Sequence, residues 1–187
     1  MLVYLFWHRP SGDADGAIGP AGGQYQRAVA AFHASLADDP PAGFHRSWCV
    51  ALSGPPWWGS GLPCYLDAYV VADWSALGVL NSAAVGGRRG PSHDAAAALA
   101  ADGTGGLLAV RRDGRHVTPS VVAFATRPAG RSYGDYGADL LAAAPAGTAV
   151  WQRQLTLGPG PEFVLASGAP LARLPGEAMR LAAVPVW

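Results

Sequence analysis

Three short stretches hold the side chains best suited to chemistry. In YLDAYVV (65–71) strand alternation puts Tyr65, Asp67 and Tyr69 on one face. If that face meets a pocket, Asp67 is partly desolvated, its pKa is raised and it can serve as a general base held by two phenols. On a solvent face it is an ordinary carboxylate, or the partner of Arg46 or His45. FHRSWC (44–49) places His45, Ser47 and Cys49 on one face, with Arg46 and Trp48 on the other. A hairpin of 44–52 with 64–72 would set Cys49 roughly opposite Asp67. In YLFWHRP (4–10), His8 shares a face with Tyr4 and Phe6, while Trp7 points the other way. The expected catalytic residues are therefore Asp67, His45 and His8. The expected ligand contacts are Trp7, Tyr65, Tyr69, Trp48, Trp57 and Trp58. The last two come from the turn SGPPWWGSGLP, where paired rings either close a pocket mouth or fold back on the core.

Other chemistries fit less well. A Cys-His-Asp nucleophile needs hydrogen-bond contact, and His45 and Cys49 are too far apart along one strand. The five histidines show no HxH, HxxxH or HExxH spacing, so no metal is expected. His8, His45 and His93 are the conceivable axial ligands for a haem, and no cofactor is expected otherwise. His93-Asp94 reads as the start of a helix, and His33 and His116 read as surface residues. There is no GxxxxGK[ST] phosphate loop.

The 187 residues carry 13 basic and 13 acidic side chains, and only 14% are charged. Phosphate neutralisation dominates nucleic-acid affinity, so this balance argues against a nucleic-acid partner. Two cysteines without CxxC spacing fit a reduced, cytoplasmic setting. The opening MLVYLFW lacks a basic region and a cleavage site, and reads as a strand rather than a signal peptide. No stretch approaches the ~20 apolar residues of a membrane helix. Abundant Ala, Gly, Pro and Arg with no Lys suggest a high-GC bacterial source.

The elements that must position these residues occur in a doubled order. YLFWHRP has an echo in VAFATRP (122–128). The first copy leads to QYQRAVAAFHASL, where Tyr25, Ala28, Val29, Phe32 and Leu36 recur at helical spacing. The second leads to SYGDYGADLLAAAP, a weaker helix. FHRSWCVALSGPP and CYLDAYVVAD are matched by AVWQRQLTLGPGP and EFVLAS. WSALGVLNSAAV, capped by Asp73, is matched by PLARLPGEAMR, which Pro175 shortens. GLLAVRRDG and RLAAVPVW end the two halves as strands.

Each half thus reads β-α-β-β-α-β, the ferredoxin-like pattern. The expected fold is α+β, with one repeat over 1–115, carrying an inserted helix near 92–102, and a shorter one over 116–187. A sheet covered on one face leaves the other bare, and two such sheets can bury their bare faces together. The chain so resembles the dimeric α+β-barrel superfamily in a fused, tandem form. That resemblance implies a pocket for a small molecule in a monomeric pseudo-dimer or a homodimer. It implies a cofactor-independent monooxygenase or isomerase acting on an aromatic or polyketide-like compound. A ligand-sensing or protein-interaction module and a haem protein are the alternatives, because a fold admits many functions and selects none.

Overall fold

The computed structural model describes residues 1–11, 23–54, 63–114, 119–156 and 160–187. Trp57, Trp58 and His116 lie outside the described residues.

Strand β1 (Leu2–Pro10) runs into helix α1 (Gln24–Asp38), followed by β2 (Phe44–Ser53) and β3 (Pro63–Val71). Two helices follow, α2 (Trp74–Ala84) and α3 (Gly90–Ala97), and then the long strand β4 (Ala100–Arg112). The remainder is β5 (Val121–Ala125), α4 (Tyr133–Ala143), β6 (Ala149–Thr156), β7 (Phe163–Ser167), β8 (Ala178–Ala182) and β9 (Val184–Pro185). The strands form one nine-stranded antiparallel sheet in the order β8-β5-β7-β6-β4-β1-β3-β2-β9. The α+β class is therefore shown. The order within the first half is β4-β1-β3-β2, and that within the second is β8-β5-β7-β6.

One expected helix does not form. Residues 168–177 contain no helix, because Pro170 and Pro175 remove donors and clash with the preceding turn, while Gly168 and Gly176 favour extended or left-handed backbone. Gly176 indeed has φ +69°. The inserted helix starts at Gly90, earlier than Ser92 would suggest, and stops before β4 begins at Ala100.

The two faces of the sheet carry two kinds of burial. Val3, Leu5 and Trp7 of β1 join Trp48 of β2, Phe124 of β5 and Trp151 of β6 in one large apolar cluster. Trp48 and Trp151 stack with ring centroids 5.9 Å apart. The other face is covered by helices. α1 buries Val29, Phe32 and Leu36 at the spacing read from the sequence, each contributing about 1.5–3 kcal/mol at most. α4 lays Tyr136 and Leu140 on Phe163 and Leu165. α2 starts where the Asp73 side chain accepts from the Ala76 N–H at 2.9 Å, as expected of an N-cap. It buries only Ala76 and Leu80. Among the described residues no helix is long and apolar enough to cross a membrane.

Candidate functional site

The helix-covered face of β1, β3 and β4 does not close completely. Between it and α1, α2 and α3 lies a cleft of about 850 Å³. Phe6, Phe32, Leu77, Leu80 and Leu107 supply apolar walls, and His8, Asp67, Tyr69 and Tyr25 supply polar atoms. A large, mostly apolar recess with a few convergent polar groups is what a small-molecule site requires. Strand pairing explains the convergence. β3 pairs with β1, putting Asp67 opposite Phe6 and Tyr65 opposite His8. On its other side β3 pairs with β2, and Cys49 falls opposite Asp67 as the hairpin reading expected.

Asp67 is the hub and is only 4% exposed. Its Oδ2 accepts from the Tyr69 hydroxyl at 2.6 Å. Its Oδ1 lies 3.1 Å from His8 Nε2 and 3.2 Å from His33 Nε2. The far nitrogens of both imidazoles are engaged as well: His8 Nδ1 meets the Tyr25 hydroxyl, and His33 Nδ1 lies 2.7 Å from Ser47 Oγ. A chain of polar groups therefore runs Tyr25–His8–Asp67–His33–Ser47 beneath the cleft. His8 is further held by stacking on Phe6 and Tyr65, at centroid distances of 5.3 and 5.6 Å.

Burial shapes the electrostatics, but it does not decide the carboxylate. Desolvation alone would raise the pKa of Asp67. The charges of His8 and His33, with their hydrogen bonding, outweigh that and hold it well below the ordinary carboxylate range. The raised pKa expected from the sequence is thus corrected, since that reading took account of neither imidazole. Burial, then the nearby Asp67 charge, pushes the Tyr69 and Tyr25 phenols upward. Burial also pushes the Cys64 thiol up to about 12, with Arg9 partly opposing it. Cys49 rises well above its ordinary value through burial and then the charge of Asp67. Thiolate is the reactive form, so neither cysteine is expected to be alkylated in the native protein at pH 8. Peptide mass mapping after iodoacetamide, with and without urea, checks this: labelling should appear only in urea.

Several expected residues sit elsewhere. His45 is exposed, because the β2–β3 register shifts between Phe44 and Arg46 and so breaks the alternation that puts His45 on the same face as Cys49. Arg46 pairs with Asp113 and not with Asp67. Trp7 and Trp48 belong to the apolar cluster on the opposite face of the sheet. Tyr65 is buried against His8 and Tyr25. His93 packs edge-on against Phe32 at 5.6 Å and lines the cleft.

His33 was misread as a surface residue and is fully buried. The signal was present: position 33 lies four residues after Val29 and three before Leu36, on the buried stripe of α1. Tyr25 was read only as a core position of that stripe, although its hydroxyl reaches His8.

The Arg-Pro echo has a structural meaning at both places. Arg9 pairs with Asp102, and the Arg127 backbone N–H donates to Glu162 at 2.6 Å.

No protein-family model matches this chain, and no curated protein matches it either.

Proposed function

We propose that the protein is a small-molecule enzyme of the fused α+β-barrel type that moves protons on an aromatic or polyketide-like compound. The observation that carries this reading is the Tyr25–His8–Asp67 chain at the floor of an aromatic-walled cleft. The barrel is supported by the C-terminal segment. β8 pairs with β5 and β9 with β2, and only Ala183 separates β8 from β9. One segment so reaches both ends of the strand order, and the shared apolar cluster would be the barrel interior. The like strand orders of the two halves support a tandem repeat. Two buried free cysteines fit a reducing, cytoplasmic setting.

In the proposed step the substrate gives a C–H or O–H proton to the Tyr25 oxygen. The Tyr25 hydroxyl proton moves to His8 Nδ1, and the resulting imidazolium is stabilised by the Asp67 carboxylate. An isomerase returns the proton at another substrate atom. A cofactor-independent oxygenase instead lets the carbanion react with dioxygen. Both begin with the same abstraction, assisted by a positioned acid–base pair.

The experiment is substrate hydrogen exchange with D₂O, followed by NMR, over a panel of aromatic ketones and phenolic polyketide analogues. Wild type should exchange an acidic C–H, and Tyr25→Phe should slow this by about 10² or more. Saturable binding without exchange would make the protein a ligand sensor and overturn the catalytic reading. A Soret band in the purified protein would favour haem binding instead.

A further inference from the structure

Proton transfer uses Tyr25, His8 and Asp67, but it gives Cys49 no task. The Cys49 sulfur, a His8 ring nitrogen and an Asp67 oxygen all lie within 4.8 Å of one another, and all three residues are buried. His8 Nε2 and Asp67 Oδ1 stand 3.1 Å apart as a buried imidazole–carboxylate pair, with His33 Nε2 3.2 Å from the same oxygen. His8 and Asp67 are only 2% and 4% exposed. A buried imidazole and carboxylate already in contact, with a thiol beside them, can exchange their mutual contact for shared coordination of one ion.

We propose that His8, Cys49 and Asp67 form a binding site for a transition-metal ion of the zinc class. One imidazole, one thiolate and one carboxylate make a borderline-soft donor set, which suits Zn²⁺ or Co²⁺. Calcium and magnesium favour all-oxygen shells and are excluded by the sulfur and nitrogen. Donors sharing a tetrahedral ion sit roughly 3.3–3.6 Å apart, so the observed spacing needs to close by about 1.5 Å at most. The surroundings are those of an oriented ligand set. Tyr69 donates to Asp67 Oδ2, and the Tyr25 hydroxyl meets His8 Nδ1, which fixes the ring with Nε2 toward the centre. Three protein ligands leave a fourth position for water or a cleft ligand. His33 Nε2, 3.2 Å from Asp67 Oδ1, lies beside the centre.

This departs from the expectation of no metal, and topology explains why. The donors come from three adjacent strands, β1, β2 and β3, so no spacing motif can reveal them. Loading would release the Cys49 thiol proton to solvent and would replace any proton on His8 Nε2. Metal and proton are then alternatives on the same atoms, and a bound ion would halt the relay. The proposal does not rest on that relay, because its readouts need no substrate.

The experiment is calorimetric titration of the full chain with Zn²⁺, paired with the absorption spectrum of the Co²⁺ form. One ion per chain is expected, with proton release and a thiolate-to-cobalt charge-transfer band. Cys49→Ser should weaken binding by about tenfold or more, and Asp67→Asn should do likewise, with thermal melts confirming that both variants fold. A cobalt spectrum of the wild type without the thiolate band would overturn the site, and that measurement requires no variant. So would binding unaffected by either substitution, which would locate the ion at exposed histidines such as His45. Neither failure touches the hydrogen-exchange result, and a failed exchange assay leaves the metal result standing.

Discussion

Asp67→Ala is expected to lower folding stability by about 3–5 kcal/mol in urea denaturation at neutral pH. The carboxylate is 4% exposed and is the shared partner of His8, His33 and Tyr69. Its removal strands three buried polar groups at once, and the loss includes their desolvation without compensation. Asp67→Asn keeps the shape and one acceptor, so it should lose less while still ending proton transfer. The pH dependence follows from the depressed carboxyl. A group held lower in the folded state than in the unfolded one contributes stability that is complete above its ordinary value of 3.8. That contribution is lost as pH falls from there through the folded value. Wild type should therefore lose stability below about pH 3.8 more steeply than Asp67→Asn. Urea midpoints measured at neutral pH and in this acid range decide it; parallel curves would show that the carboxylate is not specially held.

Trp151→Ala is expected to cost about 3–5 kcal/mol, comparable to Asp67→Ala but through packing alone. Trp151 is 1% exposed and stacks on Trp48, so the void would open where β2 of the first half meets β6 of the second. Trp151 Nε1 has no hydrogen-bond partner among the described residues. Trp151→Phe should accordingly cost much less than the alanine change, since it deletes an unsatisfied N–H along with part of the ring. Because both halves share this cluster, the alanine variant should still melt in one cooperative transition. Calorimetry resolving two transitions would mean that the halves fold independently.

Much of the frame was legible in the sequence because strand parity is strict. The division of β1 into a Tyr4-Phe6-His8 face and a Val3-Leu5-Trp7 face holds in the structure, as does the position of Cys49 opposite Asp67. Parity fails only where the ladder slips, and the slip at Phe44–Arg46 displaced His45 from the site. His33 was hidden for another reason. Histidine suits either surface or core, so its type did not speak, and only its place on the α1 stripe could have. The sign of the Asp67 shift was lost with it and with the His8 contact, since both imidazoles come from other elements than β3 and act against desolvation together. Trp7 and Trp48 were assigned to the ligand because large rings suit both cores and pockets. Which side of the sheet held the cleft was a matter of helix placement, and no local pattern encodes that.

The way β9 lies against β2 has a kinetic consequence. Val186 and Trp187 bond to the Cys49 backbone, joining stretches that are widely separated along the chain. Such pairings require closure of a long loop before any contact rewards it, and they slow folding. The β1–β3 and β2–β3 ladders close much shorter loops and can form earlier. Cys49 is thus set opposite Asp67 by an early hairpin, yet its strand acquires its outer neighbour late. Between these events β2 presents an unpaired edge that can recruit another chain. Refolding yield should therefore depend on protein concentration more than the stability of the finished molecule would suggest.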